Sequence, residues 1–107
     1  MLVTSKNGIY IRLPDERWMH ITEEHAELAG LRNEILSVIE APDAIYEGTN
    51  GECIAMKKWQ NSKYLVVVYR EIPGKRDGFV ITAFHTKRPQ SVTKRKQLWP
   101  PKAKSDR

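Results

Sequence analysis

A single cysteine, Cys53, stands in 107 residues, so no internal disulfide can form, and with no Cys or His near it at ligand spacing there is no zinc pattern. It is expected to be a small core residue. No run of 18 apolar residues exists, which removes any expectation of a membrane-spanning helix. The opening stretch, MLVTSKNGIYIRL, has neither the apolar length nor the small-residue cleavage pattern of a secretory leader, so the chain is expected in the cytoplasm. The G-x-G-x-x-G, P-loop and H-E-x-x-H patterns are all missing, so nucleotide-binding and zinc-protease readings lack their parts. His20 and His25 are five apart, which on a helix turns them about 140° from each other, a poor metal pair. Neither a metal nor a cofactor is expected.

Acidic residues are scarce at the C-terminal end. From Lys87 onward there are eight Lys or Arg against one acid, Asp106, whereas residues 1–86 carry ten basic and twelve acidic residues. The formal net charge of +5 therefore resides in the end of the chain. Such a segment attracts polyanions in a salt-dependent way, because each Lys or Arg that neutralises a phosphate releases counterion. Its plainer use is to keep the protein soluble. The length suits one domain with a single modest core, expected over residues 1–99, with 100–107 as a basic, flexible tail.

The centre of the chain, KYLVVVYREIPGKRDGFVITAFHT over 63–86, holds two strand-like runs around a loop punctuated by Pro73, Gly74, Asp77 and Gly78. The unbroken apolar run Leu65 to Val68 predicts a strand covered on both faces. Upstream, Ile9, Ile11 and Leu13 alternate with polar partners in a short strand ended by Pro14. Thr22 followed by Glu23 and Glu24 reads as a helix N-cap with acids in the first turn. Leu28, Leu31, Ile35, Val38 and Ile39 then form a helical stripe that Gly30 either tolerates or breaks, and Pro42 closes it. Asn50-Gly51 signals a tight hairpin. With those two as the central turn residues, Tyr46 faces Ala55 and Ile45 faces Met56. The predicted fold is α+β: an N-terminal strand and a helical segment on one face of a twisted antiparallel meander of about four strands. The other sheet face is left to water or a ligand.

The groups able to do polar chemistry without a metal are His20, His25, His85, Lys57, Lys58, Tyr69, Arg70 and Thr82. Cleavage of RNA needs such a set. A base takes the proton of the 2′-hydroxyl, an acid protonates the leaving 5′-oxygen, and a cation steadies the phosphorane. Imidazole suits the first two roles because it titrates near neutrality.

The segments WMHITEEHAEL, IEAPDAIY, KYLVVVYRE and GFVITAFHT together resemble the small phage-associated nucleases of the barnase, EndoU, colicin and RelE-like fold superfamily, over roughly residues 17–99. In that superfamily helices precede a meandering antiparallel sheet, and many members are metal-independent RNases serving as toxins of toxin-antitoxin or other conflict systems. The resemblance implies a catalytic set of His20, His25, Lys57 or Lys58, Arg70 and Thr82; Lys57 is expected in that set, and Lys58, Tyr69, His85, Lys87 and Arg88 are expected to bind substrate. EndoU-type members also use a late Tyr, which has no counterpart after Thr82 in this chain. The implied partners are RNA and a small acidic antitoxin or immunity protein, with no membrane.

Each of these residues also has a plainer reading. His20 and His25 suit a helix cap, Arg70 a salt bridge on the sheet rim, and Thr82 a cross-strand pair. Trp18, Trp59 and Trp99 could stack bases or fill a core. Two function classes therefore follow: a metal-independent endoribonuclease that cuts by 2′-hydroxyl attack to a cyclic phosphate, or a non-catalytic nucleic-acid-binding module using the sheet face and the basic tail. A protein-interaction domain with no nucleic-acid role is a third.

Overall fold

The apolar run Leu65 to Val68 lies where its composition requires, in the middle of a sheet. Leu65, Val66 and Val67 are all 2% exposed or less, so side chains on both faces of this strand are covered. The structure is a computed structural model that describes residues 2–102. Seven strands form one sheet: β1 (Leu2–Thr4), β2 (Tyr10–Arg12), β3 (Ala44–Glu47), β4 (Cys53–Trp59), β5 (Lys63–Glu71), β6 (Asp77–Thr86) and β7 (Gln97–Trp99), in the order β1-β2-β6-β5-β4-β3-β7. Helices α1 (Asp15–Glu24) and α2 (Arg32–Glu40) flank a 3₁₀ turn at Ala26–Leu28, and the single-turn α3 (Gln90–Thr93) lies between β6 and β7.

The expected sheet of about four antiparallel strands, with the N-terminal strand on one face of it, is corrected: the sheet has seven strands and is mixed, the N-terminal strand lies within it, and β3 to β6 are four of its seven strands. β2 runs parallel to β6, with Tyr10, Ile11 and Arg12 opposite Asp77, Gly78 and Phe79. Parallel pairing needs a long crossover, and the whole stretch from α1 to β5 supplies it. β1 and β7 have three residues each, and neither lies in an alternation like Ile9, Ile11 and Leu13 around β2. The 103–107 part of the expected tail lies outside the described residues. Residues 97–99 form an edge strand on β3.

Two local expectations are also corrected, and one left open is decided. A helix starts at Asp15 and not after Thr22: Pro14 offers its carbonyl to Trp18 N, Asp15 and Glu16 supply the acids of the first turn, and α1 ends at Glu24. The Thr22 hydroxyl donates backwards to the carbonyls of Trp18 and Met19 instead of capping. Gly30, at φ +83, breaks the helical stripe into the 3₁₀ turn and α2. The β3–β4 hairpin closes through a three-residue loop, Thr49 to Gly51, with Gly51 at φ +84, so Tyr46 opposes Ile54 and Ile45 opposes Ala55. That one-residue slip moves Ile45 onto the face of Cys53 and Ala55, and puts Tyr46 with Ile54 and Met56.

The larger core lies between the helices and one face of the sheet, where Ile21, Leu28, Ile35 and Ile39 meet Ile11, Ala55, Leu65, Val67 and Val80. Arg32 ties the two helix starts together, donating to Leu13 O at 2.6 Å and pairing with Asp15 at 2.7 Å. The sheet curls around this layer. Lys6, in the β1–β2 connection, sits 4.8 Å from the centre of the Trp99 ring in β7, although β1 and β7 are opposite ends of the strand order. On the second face Val92 of α3 packs with Ala44, Tyr46, Ile54, Met56 and Val66, so the face expected to be bare is covered over β3 and β4. Its β5–β6 half is only half-buried: Tyr64, Val68, Thr82, Phe84 and Thr86.

One irregularity decides which β6 side chains face where. The β5–β6 register shifts between Val68 and Tyr69, so Val68 opposes Thr82 while Tyr69 opposes Val80, and Ile81 is the extra residue of a β-bulge. Before the bulge Phe79 lies on the second face. After it, Thr82, Phe84 and Thr86 take that face while Ala83 and His85 turn to the helices.

Candidate active site and nucleic-acid interface

β2 covers β6 only as far as Phe79, so from Val80 to Thr86 the outer edge of β6 has no strand beside it. α1 runs along this edge. The Arg17 guanidinium reaches the Ile81 carbonyl at 3.5 Å, and His25, the residue at which α1 stops, lies with its ring centre 6.1 Å from that of Phe84. The 3₁₀ turn then carries Glu27 between two imidazoles. Its Oε2 is 3.6 Å from His25 Nδ1 and 4.0 Å from His85 Nε2. These three side chains are 34%, 39% and 27% exposed, shielded enough to be held and open enough to meet a ligand. Lys57 points to the same face as His85, in the row Lys57, Leu65, His85 that crosses three neighbouring strands, about 10 Å from end to end at the usual strand spacing.

The rest of the predicted set divides between other places. His20 lies on the open side of α1, 58% exposed, within 3.8 Å of Glu23 and 3.9 Å of Glu24, and does not meet His25. It lines a groove of about 620 Å³ with Arg17, Met19, Phe79 and Val80. Arg70 and Thr82 are on the second face, opposite Phe79 and Val68. Tyr69 is 1% exposed, directly across from Cys53 on the helix face. Burial raises the Tyr69 hydroxyl far above its ordinary pKa and pushes the Cys53 thiol up to about 11. Both stay neutral, and neither reaches a substrate.

Lys58 is exposed beside a hollow of about 390 Å³ shared with Trp59, Ser62, Lys63 and Tyr64, its backbone N–H held by Asp43. Lys87 and Arg88 are exposed where the chain leaves β6, with Arg88 N donating to the Thr86 hydroxyl. Among the described residues no group of three or more His, Cys, Asp and Glu is placed to hold a metal ion.

The arrangement offers two neighbouring surfaces at the β5–β6 end of the sheet. One is the His25–Glu27–His85 group with Lys57 in its row. The other is the half-open second face, where Tyr64 and Phe84 are diagonal neighbours and Thr82, Thr86 and Arg70 supply polar groups. Glu27, Phe84 and Tyr64 were not singled out in the sequence. Glu27 follows His25 by two residues, which is a usable signal only once the helix is known to stop there.

Comparison with protein-family models, with curated proteins and with solved structures finds no match for this chain. No helix among the described residues is long and apolar enough to cross a membrane.

Proposed function

We propose that this chain is a metal-independent endoribonuclease that cuts RNA by attack of the 2′-oxygen on the adjacent phosphorus. The observation that carries the reading is the approach of two imidazoles to one carboxylate at the uncovered edge of β6. Glu27 lies within ion-pair distance of both rings and steadies whichever is protonated. One imidazole then takes the 2′-hydroxyl proton while the other delivers a proton to the departing 5′-oxygen. The P–O5′ bond breaks as the P–O2′ bond forms, leaving a 2′,3′-cyclic phosphate and a 5′-hydroxyl. Lys57 supplies positive charge towards the phosphorane from the same face. The acid-base pair proposed is thus His25 and His85, with His20 outside it.

The resemblance noted in the sequence supports the same chemistry, and with it a role as the toxin of a toxin-antitoxin or phage-associated pair whose partner is a small acidic protein. A non-catalytic nucleic-acid-binding module is the second reading, favoured by the position of Arg70 and Thr82 on the face away from the imidazoles.

Purified protein should cleave RNA in EDTA to cyclic-phosphate ends. His25→Ala and His85→Ala should each slow cleavage by about 10² or more, and His20→Ala much less. Activity that needs added magnesium, or full activity in both the His25 and His85 variants, refutes the assignment.

A further inference from the structure

Arg95 joins α3 to β7, and the chain folds it back onto the β3–β4 loop. Its Nη1 donates to the Thr49 hydroxyl at 3.2 Å, while Arg70, reaching up from β5, donates from Nη2 to the Asn50 carbonyl at 3.0 Å. Two guanidiniums from distant parts of the chain thus hold consecutive residues of one loop. The loop also carries Glu52, which accepts from the Asn50 N–H at 2.7 Å; its pKa is lowered first by backbone hydrogen bonds and also by the charges of Arg70 and Arg95. Glu47, the other acid of this hairpin, points to the opposite face with Cys53. The cluster is therefore cationic, and Lys94 and Lys96, both exposed, flank it in sequence.

A guanidinium has five N–H donors in a fixed fork, and among the described residues the structure gives Arg70 and Arg95 one intramolecular acceptor each. Both are half-buried, which positions the fork without closing it off. Such a fork matches carboxylate and phosphate alike, and a phosphodiester, with two unesterified oxygens sharing one charge, can accept from two of them. Along β5, Arg70 is four residues from Val66, the partner of Phe84, about 13 Å at the usual rise per residue. Phe84 and, two residues further along β5, Tyr64 are half-buried aromatics on this face, and a strand whose bases lay over them would carry its backbone towards the loop.

We infer that Arg95 and Arg70 together hold a phosphodiester of single-stranded nucleic acid at the β3–β4 loop, as a positioning site on the second face separate from the imidazoles. This rests on the proposed reading of the chain as a nuclease, yet it can be tested apart from it. Binding of a short fluorescein-labelled deoxyoligothymidylate, which has no 2′-hydroxyl and cannot be cut by the proposed chemistry, is measured by anisotropy across a salt series. Arg95→Gln and Arg70→Gln should each weaken binding about tenfold, and the double variant should lower the salt slope by about 0.7, the value of one phosphate on a single strand. Arg95→Lys should recover part of the loss, and Glu52→Gln should tighten binding. Lys6→Gln, an equal change of charge beside Trp99, should leave affinity and slope unchanged.

A merely structural role for the two arginines would lower the melting temperature without moving the slope, and that result overturns the inference. So does an equal loss in Lys6→Gln, or a wild-type protein that does not bind the strand. Wild-type cleavage of RNA with slopes unchanged in the arginine variants removes the inference and leaves the nuclease. Arginine-dependent binding by a protein that cleaves nothing does the reverse.

Discussion

Deleting Ile81 should leave the fold standing and remove the activity. Without that residue Phe79, Val80, Thr82 and Ala83 would meet Arg70, Tyr69, Val68 and Val67 in one unbroken register, and every side chain of β6 would keep its present face. The energetic cost is small. Ile81 is half-buried, so its loss forfeits about 1 kcal/mol of burial, and the 3.5 Å contact from Arg17 to its carbonyl is an exposed one. A regular ladder at the same point regains about 0.5–1.5 kcal/mol of hydrogen bonding. The net change in unfolding free energy should therefore stay within about 1 kcal/mol, read by urea denaturation with the fluorescence of Trp18, Trp59 and Trp99. What the deletion removes is the local kink that brings the open edge of β6 up to His25 and Glu27. A displacement of about 1 Å at such a site is enough to cost about 10² in rate, so RNA cleavage should fall by that much or more. A loss of stability above about 3 kcal/mol would show that the bulge supports the core and that the assignment of faces around it is wrong. Unchanged cleavage in a folded deletion variant would show that the kink does not aim the site.

Ile35→Asp should abolish folding, because Ile35 is fully covered between α2 and the sheet and the new carboxylate would have no partner there; a cooperative melt at the wild-type temperature would refute the packing. Asp77 gives a pH dependence of known sign. A hydrogen bond from Arg12, at 2.9 Å, holds the Asp77 carboxyl below the usual carboxylate range, so its contribution is complete above the unfolded-state value near 4 and is lost as pH falls through the lower folded value. Wild type should thus lose more stability than Asp77→Asn between pH 4 and strongly acid solution, and parallel curves for the two proteins would show that the pair adds nothing.

The antiparallel run β3 to β6 was legible because its strands show a period or an unbroken run and its turns carry Gly, Asn or Pro. β1 and β7 were not, because neither lies in an alternation like Ile9, Ile11 and Leu13 around β2, and their pairing depends on edges that exist only once the sheet has formed. The parallel contact of β2 with β6 joins residues 67 apart and leaves no local trace. The start of α1 was missed because Thr22, Glu23 and Glu24 satisfy the capping pattern as well as Pro14, Asp15 and Glu16 do. Tertiary contact selected between them: with α1 starting at Asp15, that residue reaches Arg32 and Ile21 reaches the core.

The candidate site was legible as a list of residue types and not as a constellation. His25, His85 and Lys57 were named from the sequence, but the group that unites two of them is Glu27, whose position depends on the helix ending at His25 and a 3₁₀ turn beginning there. Arg70 and Thr82 were named with them and lie on the other face, because strand side chains alternate and the bulge at Ile81 changes the count partway along β6. Arg95 carried no signal at all, one cation among the eight that follow Thr86.

The division between faces has a consequence for how this protein could change without unfolding. On β5 and β6 the residues that build the larger core, Leu65, Val67, Tyr69, Val80 and Ala83, alternate with those that form the half-open face, Val68, Arg70, Thr82 and Phe84. Because the side-chain period is two, substitution at the second group leaves the first untouched, and the helix layer stays packed. His85 and Lys57 are the exceptions, since they share the core face and lie at its rim, beyond Ala55 and Ala83. The proposed chemistry is thus anchored to the part of the fold that packing constrains most, while the surface proposed to read a substrate sits on the part that can be altered one alternate residue at a time. On that reading, a fold so arranged can change what it binds faster than how it reacts.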